Sequence, residues 1–148
     1  SRHRSRGMAG FTVVEMLVIM AVLAILATVA MPLYTDSVRK SGRAAAKGAL
    51  MDVALRQEQF FLNNRRYSGT LTGLGLPDPY FINKSSDSVA STDAGRVYRV
   101  TLNNATATGF DAVASAVLDQ SKDLCGNYTL SSTGNRAVSG AAGADVCW

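Results

Sequence analysis

The chain has 148 residues, with 15 Lys or Arg against 11 Asp or Glu and a formal net charge of +4 at pH 7. Arg2, Arg4 and Arg6 supply three of those charges ahead of Phe11, which leaves 12 against 11, or +1, for everything after them. A generally basic nucleic-acid binder is therefore not implied, and the length suits one modest globular domain plus an anchor.

Residues 1–10 form a basic leader, and residues 11–33 form an uninterrupted apolar run apart from the single carboxylate of Glu15. The 23 residues from Phe11 to Leu33 make about 34 Å of helix at about 1.5 Å per residue. That spans a hydrocarbon core of about 30 Å. A buried helix of a soluble protein fits less well, because the run is apolar on every face and lies near the N-terminus. An ordinary secretory signal would carry a shorter apolar region followed, not preceded, by a small residue such as Gly10. Arg2, Arg4 and Arg6 favour a cytoplasmic N-terminus, but Arg39, Lys40, Arg43 and Lys47 lie beyond the run, so the charge rule alone does not decide orientation. Glu15 is costly in lipid and demands a reason. A snorkelling interfacial glutamate with no role is the bland one.

Residues 34–62 continue as an amphipathic half of the same helix, read to about Leu62. Ala46, Leu50, Val53/Ala54, Gln57 and Phe61 follow helical spacing, with Arg39, Lys40, Arg43, Asp52 and Arg56 on other faces. Pro32 removes one backbone bond and bends the helix without ending it. Residues 63–95 read as a connecting loop, since Asn63 to Ser91 is rich in Gly, Pro, Asn and Ser. Tyr67, Leu71, Leu74 and Leu76 are expected to tuck from it onto the core. Residues 96–148 carry the strands. Val97 to Leu102, Gly109 to Val117 and Asn127 to Ser131 alternate in a half-buried pattern, and a turn at Ser132 to Asn135 leads to a short strand, Arg136 to Val138. An antiparallel meander is the economical arrangement.

The two cysteines, Cys125 and Cys147, show no CxxC spacing, and the one histidine, His3, lies in the leader. A zinc site is poorly supported, and no cofactor is implied. A disulfide closing 21 intervening residues fits better, contributing about 3 kcal/mol on the chain-entropy picture. It requires an oxidising compartment such as the periplasm, which also favours placing the head outside the cytoplasm. Without a histidine in the head, Ser-His-Asp and Cys-His pairs are impossible there, and no enzyme is expected. Asp119 and Asp123 read as solvated loop charges rather than a working carboxylate pair. Trp148, beside Cys147, is expected to cover the sheet and fix the disulfide loop. Arg65 with Arg66, and Arg96 with Arg99, are small basic clusters of the kind usually solvated or salt-bridged.

Gly10-Phe11-Thr12-x-x-Glu15 with Pro32 late in the apolar run strongly resembles the class III signal of type IV pilins and pseudopilins. Arg56-Gln57-Glu58-Gln59-Phe60-Phe61, Leu74-Gly75-Leu76-Pro77, Cys125-Gly126-Asn127-Tyr128-Thr129-Leu130 and the closing Cys147-Trp148 are similar to PilE-type minor pilins. The chain opens at Ser1 rather than an initiator methionine, so the true start of the leader lies open. The resemblance implies an α+β fold: one long N-terminal helix, membrane-spanning in its first half, packed on an antiparallel sheet with a C-terminal disulfide loop. It implies cleavage between Gly10 and Phe11 by a prepilin peptidase, N-methylation of Phe11, and assembly through Glu15 and Pro32. The implied partners are other pilin subunits, the peptidase/N-methyltransferase and an inner-membrane assembly platform, with DNA or surfaces as further candidates. The chain is then expected in the inner membrane with a periplasmic head, and afterwards in an extracellular pilus serving motility or adhesion. A DNA-binding competence pilin and a secretion-system pseudopilin stand as alternatives. Pseudopilins tend to lack the C-terminal cysteine pair, which argues against the second. An uncleaved single-span membrane protein is a weaker option.

Overall fold

The computed structural model describes residues 10–148, so the leader arginines lie outside the described residues. Helix α1 runs Val13–Asn64, 52 residues with Pro32 inside it. The contacts divide the chain into two compact units, 1–36 and 37–148.

In the first unit, every described side chain is exposed. Phe11, Val13, Leu17, Ile25 and Leu33 all turn more than 60 % of their surface outward. Among the described residues none of the apolar window is buried, and α1 is long and apolar enough to cross a membrane.

In the second unit, the helix has a distinct buried stripe: Gly42, Ala45, Ala46, Ala49, Leu50, Val53 and Gln57. The spacing keeps one face inward for four turns, and its small residues let the helix axis approach the sheet closely. The sheet has six strands: β1 (Tyr80–Asn83), β2 (Ser88–Val89), β3 (Arg96–Asn103), β4 (Asp111–Ala116), β5 (Tyr128–Ser131) and β6 (Arg136–Val138). Their spatial order is β2-β1-β3-β4-β5-β6, and every pairing is antiparallel. One inward row reads Tyr80, Val100, Ala114, Tyr128 across β1, β3, β4 and β5. Ala112 and Ala114 keep the centre shallow, while Tyr98 and Tyr128 meet edge to face with centroids 6.0 Å apart. A four-residue helix, α2 (Ala144–Cys147), lies within the disulfide ring.

The expected α+β architecture is therefore present, with the helix ending at Asn64 and β3 to β6 on the expected segments. The stretch read as irregular loop corrects that reading in part. It holds a 3₁₀ turn at Thr72–Leu74 and then β1 and β2. Tyr80-Phe81-Ile82-Asn83 alternates inward and outward over only four residues, too short to stand out beside the flanking Pro79 and the Ser-rich turn. Pairing with the long strand β3 creates what local propensity does not announce. Leu71, Leu74 and Leu76 are buried as expected, and Tyr67 lies half-buried between Phe61 and Phe110, with ring centroids 4.8 and 5.0 Å away.

Candidate functional site

The N-terminal segment begins with a cap. The Glu15 N–H donates to Thr12 Oγ1 at 3.2 Å, and the Met16 N–H donates to the Thr12 carbonyl at 3.2 Å. Thr12-x-x-Glu15 is thus one half of a capping box, a signal in the sequence that the reading of Glu15 as a lone acid missed. Among the described residues, the Glu15 carboxylate has no ion-pair partner. It sits in the first helical turn, where the macrodipole favours a negative charge, beside exposed Phe11. Further along, Pro32 withholds the N–H that the Thr28 carbonyl would otherwise accept. The hydroxyls of Thr28 and Thr35 donate back to the carbonyls of Ile25 and Met31, at 2.7 and 3.1 Å, so neither costs much in an apolar setting.

In the head, a polar latch ties the helix to the disulfide ring. Arg43 grips Asp123 with two bonds, Nε to Oδ2 at 2.8 Å and Nη2 to Oδ1 at 2.5 Å. Gln120 Nε2 donates to Asp123 Oδ2, to the Tyr98 hydroxyl and to the Arg39 carbonyl, at 3.0, 3.3 and 3.2 Å. The Cys125 N–H donates to Asp123 Oδ1. One turn after Arg43, Lys47 Nζ donates to the Cys147 carbonyl at 3.1 Å. Two cations of one helix face thus hold both cysteine ends of the ring. The ring is closed by the Cys125–Cys147 bond, with the Cα atoms 5.8 Å apart. Gly42 faces Gln120 so closely that an added Cβ would lie 2.6 Å from its Oε1.

The electrostatics follow from that burial. Burial alone would raise the Asp123 carboxyl, but the hydrogen bonds from Arg43 and the Cys125 N–H, with the charges of Arg43 and Arg39, outweigh it and hold the group below the usual carboxylate range. Burial pushes the Tyr98 hydroxyl well up, against an opposing hydrogen bond from Gln120. Tyr128 and Tyr80 are raised by burial as well. Asp123 therefore corrects the reading of a solvated loop charge: its side chain is 1 % exposed. Asp119 is the solvated one, paired with Lys122 at 2.7 Å on the surface. Charge pattern alone does not separate these two; the separation comes from the 3₁₀ turn at Leu118–Lys122, which points Gln120 inward and leads Asp123 under the helix.

Trp148 packs edge to face on Tyr128, donates from Nε1 to the Ala137 carbonyl at 3.1 Å and lies under Arg136, which closes the sheet edge over the ring. Arg96 and Arg99 both lie over the ring of Phe81, at 5.8 and 5.9 Å, so they share an aromatic anchor rather than a carboxylate. Arg65 and Arg66 are exposed at the end of α1. Among the described residues, no group of three or more His, Cys, Asp and Glu side chains is placed to hold a metal ion.

A capped, exposed apolar helix continuing into a stripe that packs on an antiparallel sheet, with a C-terminal disulfide ring, defines a type IV pilin. Residues 5–31 match the prokaryotic N-terminal methylation motif, the class III leader of such subunits. Residues 32–129 match the family described as type IV minor pilin ComP, DNA uptake sequence receptor, and the chain belongs to that family. It is also 28 % identical over 142 residues to fimbrial protein Q of Moraxella bovis, covering 86 % of this chain and 88 % of that protein. The chain is thus a minor pilin, a membrane-anchored pilus subunit that is later assembled with other pilins into an extracellular pilus. The matched families are structural.

Proposed function

We propose that a prepilin peptidase cuts between Gly10 and Phe11 on the cytoplasmic side, that Phe11 is then N-methylated, and that Glu15 pairs with the Phe11 amine of a neighbouring subunit as the protein enters the fibre. The observation that carries this reading is the Glu15 carboxylate, the lone acid on an exposed apolar surface and without an ion-pair partner among the described residues. A terminal amine one turn away on another protomer would neutralise it when lipid is left behind. Pro32 gives the segment a missing backbone bond at which it loosens during packing. An inner-membrane assembly platform is the partner that receives the processed subunit.

Two measurements test this. Mass analysis of the mature protein should report a chain starting at a methylated Phe11 and lacking two hydrogens for the disulfide. Glu15→Val should leave a stable membrane protein that is depleted from sheared fibres about tenfold, the effect of losing one pairing of about 1.4 kcal/mol. Wild-type levels of Glu15→Val in fibres would refute the pairing.

A second reading, duplex DNA binding at the fibre surface, is favoured by the family's description as a DNA uptake sequence receptor and by the arginines at 65, 66, 96 and 99, which have no acidic partner among the described residues. Binding that weakens steeply with added salt supports it, since phosphate contacts release counterions. Salt-insensitive or absent binding removes it.

A further inference from the structure

Four cations follow the apolar run: Arg39, Lys40, Arg43 and Lys47. Positive charge ordinarily gathers on the cytoplasmic side of a span, so on the head's side it demands a reason. The fold uses two of the four, since Arg43 grips Asp123 and Lys47 holds the Cys147 carbonyl. Arg39 and Lys40 make no ion pair among the described residues, and Lys40 is exposed.

Tertiary contacts bring a third cation beside them. Ser41 Oγ donates to the Lys84 carbonyl at 3.0 Å, which seats the β1–β2 turn against the helix one residue past Lys40. Asn83 Oδ1 holds that turn in shape, accepting from the N–H groups of Ser85 and Asp87 at 2.8 and 3.0 Å. Lys84 is exposed and makes no ion pair among the described residues. Gln120 Nε2 reaches the Arg39 carbonyl at 3.2 Å, so the turn at Leu118–Lys122 meets the helix at the same level. Leu118 in that turn is 48 % exposed at a φ of 52°, an apolar side chain held in a costly conformation close to the cations. The nearby acids are mostly engaged: Asp87 accepts from Asn83, Asp119 from Lys122 and Asp123 from Arg43. Asp36, one turn before Lys40, offsets one charge of the three.

A bilayer is close to these residues by covalent necessity. Six residues separate Leu33 from Arg39, at most about 21 Å of chain and about 9 Å as helix. The headgroup layer on each side of the hydrocarbon is about 5–7 Å deep. Helical side chains tilt toward the N-terminus, which for Arg39 and Lys40 means toward the span, and their long stems extend the reach.

We propose that Arg39, Lys40 and Lys84 bind the phosphates of anionic phospholipids in the leaflet beneath the head, docking the head on the membrane before the subunit enters the fibre. The docking rests on the membrane anchor and is independent of cleavage at Gly10 and of the Glu15 pairing. Guanidinium and ammonium groups match phosphate oxygens, and each cation at an anionic surface strengthens binding about fivefold. Nucleic acid carries phosphates too, but the chain itself tethers this surface to the bilayer, which gives lipid the higher effective concentration.

The test uses the full-length protein in lipid nanodiscs of phosphatidylcholine, alone or mixed with phosphatidylglycerol, at about 0.15 M salt. Amide hydrogen exchange is read at the β1–β2 turn, residues 84–87, and at the β5–β6 turn, residues 132–135. The second turn lies at the opposite end of the sheet, since Ser131 pairs with Asp111 and Asp111 with Asn103, whereas Asn83 pairs with Arg96. Phosphatidylglycerol is expected to slow exchange at the first turn at least about fivefold and to leave the second unchanged. The ratio between the two lipids, taken within each variant, cancels differences in intrinsic rate. Lys40→Gln and Lys84→Gln should each weaken the slowing and together abolish it, while Arg66→Gln, just past the far end of α1, should keep it. Equal exchange in the two lipids, equal slowing at both turns, or slowing that survives the double variant would each overturn the proposal, because the field of the lipid alone acts without these side chains. Should Lys84→Gln loosen its turn in phosphatidylcholine, Arg39→Gln combined with Lys40→Gln decides the question by the same readout.

Discussion

Residues 13–36 and 37–64 are both helical, yet they stand in opposite relations to the rest of the molecule. Leu23 in the first is 54 % exposed, and Leu50 in the second is 0 % exposed. The first stretch is apolar on all sides and has no core of its own among the described residues. The second is apolar along one stripe of small side chains and packs on the sheet. A single helix thus carries two different stability requirements: lipid or neighbouring subunits complete the first stretch, and the chain itself completes the second.

The largest expected effect sets the two leucines against each other. Leu50→Ala should cost the head about 3–4 kcal/mol through a cavity between helix and sheet. Leu23→Ala should leave the same melting transition within about 0.5 kcal/mol. Thermal unfolding followed by Trp148 fluorescence reads both, and a comparable loss for Leu23→Ala would erase the distinction.

Next comes the latch. Arg43→Leu strips a buried carboxylate of its cation and should cost roughly 3 kcal/mol. Replacing both Arg43 and Asp123 with apolar residues should recover part of it, a contrast that a double-mutant cycle resolves.

Acid and alkali sharpen the comparison further. The Asp123 carboxyl is held below its unfolded value, so its contribution is complete above about pH 4 and fades as pH falls through the lowered native value. Tyr98 and Tyr128 are raised, so their burial stabilises fully below about pH 10 and progressively less above it. Melting temperature against pH should fall at both limbs, and Asp123→Asn should flatten the acid one. The smallest effect belongs to Gly42→Ala, about 1–2 kcal/mol, because the new methyl displaces Gln120 from its three hydrogen bonds.

Much of this was legible in the residues. Hydropathy marked the anchor because a bilayer leaves few options, and helical spacing found Leu50, Val53 and Gln57 because one face of a helix must turn inward. Alternation found β3 to β6 for the same reason. Gln57 exceeded its reading: its amide clasps the Ser68 backbone through both polar atoms, at 2.9 and 2.8 Å, pinning the loop to the helix. What stayed hidden depends on contacts distant in sequence. Strand β1 exists through its pairing with β3, and Asp123 is buried because Arg43, 80 positions earlier, meets it. Thr12 is the exception, a local signal that was present and unread.

The sheet order has a consequence for how the molecule matures. From β4 to β6 each strand pairs with the one just before it, so that part of the head zips up with short closures. The clasps at Arg43–Asp123 and Lys47–Cys147 bridge 80 and 100 positions, so the first waits for Asp123 and the second for Cys147. A head that forms in chain order is therefore sealed last at the ring, and one clipped before Cys147 would lack both the Lys47 contact and the disulfide.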